Sequence, residues 1–90
     1  MSVLLITYDH AHKDSMVDPV LSIVSEYKHI QLSEGSYAIE TDEKTRTVFN
    51  KIIPFLSTNA RLIIVTLVKP FSGPVRENVS QWLLKHLPEN

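Results

Sequence analysis

Apolar residues run unbroken through Val3-Leu4-Leu5-Ile6, continue as Thr7-Tyr8 and stop at Asp9. Val3, Leu5 and Thr7 alternate with Leu4, Ile6 and Tyr8, so an extended chain here is apolar, or nearly so, on both sides. That predicts an inner β-strand that needs cover on two faces. Leu62 to Val68 repeats the pattern and predicts a second such strand over Arg61 to Val68. Lys28 to Ser33 differs, with Ile30 and Leu32 on one side and His29, Gln31 and Ser33 on the other, as in a half-exposed edge strand. Glu34-Gly35 then turns the chain, and Ser36 to Thr41 pairs back as the second arm of a hairpin.

Three segments carry helical spacing instead. Val17, Val20, Leu21, Val24 and Tyr27 form one stripe, capped by Asp14 or Ser15, or by Asp18 if the helix begins at Pro19. Val48, Phe49, Ile52, Ile53 and Leu56 form another, with Thr41 or Asp42 as its cap, Pro54 distorting its last turn and Asn59 terminating it. Val75, Val79, Trp82, Leu83 and His86 or Leu87 form the third, with Pro74 at its first position after the loop Lys69 to Pro74.

The order βαββαβα contains two βαβ units with right-handed crossovers joined by a hairpin. It predicts an α+β fold, a ferredoxin-like βαββαβ core with an added C-terminal helix, as one domain over residues 1–90. In that sheet the first and third strands are central and the two crossover helices cover one face. Because the first and fourth strands are apolar on both sides, the other face calls for cover by the third helix, a second subunit, or both. A homodimer is therefore expected, with Leu4, Ile6, Tyr8, Ile64 and Phe71 at its interface.

Composition narrows the function classes. Forty-three per cent hydrophobic and 21% charged residues are ordinary for a globular chain. Ninety residues bury about 60–65% of their unfolded surface, a modest margin that association would widen. Nine basic residues against ten acidic give a formal charge of −1, so any contact with nucleic acid needs a local patch rather than a general field. The absence of cysteine excludes disulfides, thiolate metal sites and a cysteine nucleophile, and suits a reducing cytoplasm. The amino terminus has no basic leader region, and its apolar run is too short to span a bilayer, so a soluble cytoplasmic protein without membrane contact is expected.

The candidate chemistry centres on Asp9. Just past the carboxyl end of a central strand, it lies at the sheet rim, where ligands bind in open sheets. It is the candidate catalytic and metal-holding residue, for Mg²⁺ or Mn²⁺. A single carboxylate holds such an ion weakly, and a twofold axis would supply a second. The plainer reading is that Asp9 ends the strand by bonding loop amides. His10 and His12, with Asp9 or Asp14, have the spacing of a weak zinc or nickel site. Lys13, Lys28, Lys69 and Arg76 are candidate phosphate contacts around the rim, with Phe71 to stack on a base, but no clustered run supports this and scattered surface charge is the favoured reading. Lys44, Arg46 and Lys51 read as the solvated face of the second helix. Trp82 and Tyr37 read as core or interface anchors, and Glu40 and Asp42 as residues placed by a helix start. No nucleophilic triad or phosphate-cradling glycine loop is present.

Four stretches carry a resemblance: V-L-L-I-T-Y-D at the amino terminus, G-S-Y-A-I-E-T in the hairpin, L-S-T-N-A-R-L-I-I-V at the fourth strand and Q-W-L-L-K-H-L at the end. Along nearly its whole length the chain resembles the short bacterial and phage proteins labelled SinR-like. Over the ferredoxin-like core it also resembles the small CRISPR adaptation endonucleases and the virulence-associated D ribonucleases. The resemblance implies a metal at a dimer interface held by the strand-ending aspartate, here Asp9, and it aligns Ser36 and Tyr37 with a serine and its apolar or aromatic neighbour. Two features depart from it: the first helix has no arginine, and the C-terminal segment is a helix instead of an exchanging strand. The expectation is therefore a non-catalytic homodimeric interaction protein, an adaptor, inhibitor or antitoxin-like partner. Its alternative is a metal-dependent endonuclease acting on RNA or DNA through Asp9 at the dimer interface.

Overall fold

The computed structural model describes residues 2–9, 19–56 and 60–89. In chain order these form β1 (Ser2–Asp9), α1 (Pro19–Val24), β2 (Lys28–Ser33), β3 (Ser36–Thr41) and α2 (Thr45–Ile52). A 3₁₀ turn (Ile53–Phe55), β4 (Arg61–Leu67) and α3 (Glu77–His86) complete them. The strands make one sheet in the order β2-β3-β1-β4, and every neighbouring pair is antiparallel. This is an α+β arrangement of a four-stranded antiparallel sheet and three helices.

Strand register divides the side chains between two faces, since residues directly opposite each other share a face. Leu4 lies across from Ile39 and Thr66, Ile6 from Tyr37 and Ile64, and Tyr8 from Leu62. This first face packs against the helices that connect the strands: Val20 and Val24 of α1 and Val48 and Ile52 of α2 join Leu4, Ile6, Tyr8, Tyr37 and Ile39 in one buried cluster. Each large side chain so buried contributes about 1.5–3 kcal/mol. Leu4 and Ile6 are 1% and 0% exposed and Tyr8 is buried too, so these three have no surface left for a second subunit. The expected interface at Leu4, Ile6 and Tyr8 is thereby corrected: both sets of β1 side chains are apolar, and the helices took this one. Ile64 borders the same cluster, and half-buried Phe71 borders the cluster on the other face.

The second face carries Val3, Leu5, Thr7 and Asp9 of β1, opposite Leu67, Val65, Ile63 and Arg61 of β4. α3 lies on one part of it. Val79, Leu83 and Leu87, spaced four apart, close over Val3 and Ala38, with Ile30, Leu32, Trp82 and Phe71 at the border. Nothing among the described residues covers the remainder: Ile63 is 57% exposed and Val65 37%. β4 has the two-sided apolar sequence of an inner strand, yet it lies at the sheet edge and keeps that surface open.

Local chemistry sets the helix ends. Thr41 does not cap α2. Its buried hydroxyl accepts a hydrogen bond from the Glu43 N–H at 3.0 Å, making a local turn. α2 therefore begins only at Thr45, after Lys44, which gives no side-chain cap. At the other end Pro54 has no amide to donate, and the α-helix yields to the 3₁₀ turn after Ile52. Pro74 precedes the first residue of α3 by three positions, and Val75 is exposed instead of sharing the α3 stripe. Leu21 of α1 is likewise exposed, while Val20 and Val24 are buried. The caps expected at Asp14, Ser15 or Asp18, with Val17, and the terminator Asn59 lie outside the described residues.

Two charged contacts tie helices to the sheet side. The Tyr27 hydroxyl donates to Glu43, while Lys51 Nζ donates to Tyr27 at 2.9 Å and to Glu43 at 2.7 Å, joining the end of α1 to α2. On α3, His86 Nδ1 lies 2.8 Å from Glu40 Oε2 of β3. A carboxylate only accepts, so the imidazole N–H donates. The Trp82 ring rests against His86 with centroids 4.2 Å apart. Among the described residues, no helix is long and apolar enough to cross a membrane.

Candidate functional site at the sheet rim

Asp9 ends β1 and is exposed, with Arg61, the first residue of β4, directly across from it. Its surroundings are built by the β2–β3 turn. Tyr8 N–H donates to the Gly35 carbonyl at 2.9 Å, which presses the turn against the last residues of β1. Gly35 has φ +82°, and a Cβ there would stand 2.6 Å from the Tyr8 carbonyl oxygen, so only glycine fits. Beneath the turn the rings of Tyr8 and Tyr37 stack, 6.4 Å apart and 6° from parallel. On the second face the Ser36 hydroxyl donates to Thr7 Oγ1 at 3.1 Å. The outcome is a rigid rim from which Asp9 projects.

A shallow depression of about 220 Å³ opens there, lined by Thr7, Tyr8, Asp9, Arg61, Leu62 and Ile63. Among the described residues, Asp9 is its one carboxylate. Arg61 stands directly across the strand pair from it, where opposed Cβ atoms lie about 4.5–5.5 Å apart. Among the described residues no group of three or more histidines, cysteines, aspartates or glutamates stands close enough to hold a metal. For Mg²⁺ or Mn²⁺ the described residues offer Asp9 with hydroxyls nearby, a thin set for an ion that wants octahedral oxygen ligation. The arrangement serves well as a hydrogen-bonding rim to an apolar surface, since Ile63 and Thr7 continue directly into the uncovered part of the sheet.

Among the described residues, Lys28, Lys69, Phe71, Trp82 and Tyr37 are placed as follows. Lys28 is in register with Glu40, Glu40 with Val3, and Val3 with Leu67, which places Lys28 and Lys69 at the end of the sheet opposite the rim. Lys69 is also paired with Glu89 at 3.4 Å. Phe71 is half buried against the α3 cluster and lines a depression with Lys69 and Leu84. Trp82 borders that cluster and Tyr37 is buried in the other, both as structural anchors. His10, His12, Lys13 and Asp14 lie outside the described residues.

Sequence reasoning passed over Arg61, whose position opposite Asp9 follows only from register. It also passed over the Glu40–His86 pair, where the hydrogen bond from His86, with the charges of His86 and Lys28, holds the Glu40 carboxyl below the usual carboxylate range against partial desolvation. Burial first, and then the hydrogen bond to Glu43, push the Tyr27 phenol up. Glu43 itself is held down, chiefly by Lys51. Both clusters join secondary-structure elements. No family model, curated protein or solved structure matches this chain.

Proposed function

We propose that this chain is a non-catalytic homodimeric interaction protein, an adaptor, inhibitor or antitoxin-like partner of bacterial or phage origin, on a ferredoxin-like fold related to the SinR-like proteins. The observation that carries the reading is the unfinished second face of the sheet. α3 seals Val3 and Ala38, but Ile63 and Val65 remain 57% and 37% exposed beside Leu5 and Thr7. A patch of exposed β-branched side chains on a rigid sheet is a surface for association. The twofold pairing of one such patch with its copy is the commonest way to bury it.

The competing reading is a metal-dependent endonuclease acting through Asp9 at the dimer interface. The exposure of Asp9 at the rim speaks for it. Arg61 opposite Asp9 and, among the described residues, a single carboxylate in the depression speak for the non-catalytic reading. A cleavage assay separates the two: wild type and Asp9→Asn are incubated with single- and double-stranded RNA and DNA, with and without Mg²⁺ or Mn²⁺. The interaction protein predicts no cleavage above buffer by either. Metal-dependent cleavage by wild type that disappears in Asp9→Asn, with the fold intact, establishes the endonuclease.

A further inference from the structure

The two edges of the sheet are built differently. β2 carries Lys28, polar His29 and Gln31, and an irregular register between Gln31 and Ser33. Charge and bulges are the devices by which edge strands avoid pairing with other chains. β4, Arg-Leu-Ile-Ile-Val-Thr-Leu, has regular register along its whole length with β1, no proline, and no charge after Arg61. Among the described residues its outer side has no strand neighbour. A long, regular, apolar edge presents a row of backbone donors and acceptors at the spacing another strand requires.

Alongside that edge runs a groove of about 310 Å³ between α2 and β4, lined by Thr45, Arg46, Phe49, Leu62, Ile63 and Ile64. Its floor is apolar and its wall carries one charged side chain, Arg46, whose guanidinium stands over the Phe49 ring at 5.7 Å. Among the described residues no carboxylate lines it. A second copy of β4 laid here would bring Arg61 and no acid, so it would leave Arg46 unmatched.

We propose that this groove takes an extended peptide of a partner protein by β-strand addition to β4. The bound segment consists of β-branched apolar residues with one acidic residue on the groove side. Main-chain hydrogen bonds to β4 supply affinity. Every second peptide side chain then enters the groove, one apolar residue against Phe49, Leu62 and Ile64 and one carboxylate at Arg46. The proposal rests on the interaction-protein reading above and names its partner chemistry. The dimer patch lies on the second face and shares only Ile63 with the groove lining.

The probe is a labelled synthetic peptide of valines and threonines with one central glutamate, compared with the same peptide carrying lysine there. Binding to the full chain is read by fluorescence anisotropy, and the β4 amides are followed by hydrogen exchange. The glutamate peptide is expected to bind about tenfold more tightly than the lysine peptide, the size of one partly desolvated charge pair. Arg46→Glu should reverse that preference, and the outward amides of Arg61–Leu67 should gain protection only with peptide present. Equal binding of both peptides, protection elsewhere than β4, or protection of β4 by self-association without peptide overturns the proposal. Light scattering on the same samples keeps the two claims apart: a dimer that ignores the peptide refutes the groove alone, and a monomer that binds it refutes the dimer alone.

Discussion

Replacing Gly35 by alanine tests how the rim is held. The residue sits at φ +82°, where an L side chain costs about 1–2 kcal/mol of backbone strain. The added Cβ would also stand 2.6 Å from the Tyr8 carbonyl oxygen, a backbone atom fixed in a central strand that cannot swing aside. Relief requires the turn to lift, which lengthens the 2.9 Å bond from Tyr8 N–H to the Gly35 carbonyl, and a buried main-chain bond lost adds about 1 kcal/mol. Reduced unfolded-state entropy returns about 0.4–1 kcal/mol, so the net destabilisation is about 2 kcal/mol. Urea unfolding is the assay. With a slope of about 1–1.5 kcal/mol/M for a small chain, the midpoint should fall by about 1.5–2 M. Exposed Glu34, replaced by alanine in the same turn, should stay within about 0.5 kcal/mol of wild type. A loss below that figure for Gly35→Ala would refute the close approach of turn and strand.

Two further outcomes follow from the packing and the charges. Ile52→Ala removes a side chain with no exposure, held between α2 and the sheet, and should cost about 2–5 kcal/mol by the same urea assay. Glu40 has a lowered carboxyl pKa in the folded chain, owing first to His86. Its contribution to stability is therefore complete above the ordinary carboxylate pKa and is lost as pH falls through the lowered one. Glu40→Gln should flatten that acid limb of a stability-versus-pH curve and leave its shape above the carboxylate range little changed, whereas an unaltered acid limb would contradict the latch between β3 and α3.

Alternation and helical spacing made the strands and helices legible because each element is long enough to repeat its period. What alternation could not assign was the side of β1 that the crossover helices take, since Leu4, Ile6 and Tyr8 are as apolar as Val3 and Leu5. One signal was present. Asp9 shares its parity with Val3, Leu5 and Thr7, and a set that ends in an exposed acid marks the face that opens to solvent. For β4 the two-sided apolar sequence was read as burial, whereas the strand keeps its apolar character at an edge, where only tertiary position shows it to be surface. Thr41 was a reasonable cap by residue type, but its own turn to Glu43 won the competition for its hydroxyl. Asp9 itself was legible as a rim residue, and Arg61 opposite it was not, because cross-strand register depends on contacts far apart in sequence.

The central claim is that the open part of the sheet, around Ile63 and Val65, joins two copies of the chain. Light scattering of wild type and Ile63→Lys at tens of micromolar protein measures it directly. Ile63 is 57% exposed, so the substitution leaves the core intact and places a charge on the patch, facing its own copy across the twofold axis. The account predicts twice the 10.3 kDa chain mass for wild type and the single-chain mass for folded Ile63→Lys. A wild-type monomer at that concentration, or a dimer that Ile63→Lys leaves undisturbed, would contradict it.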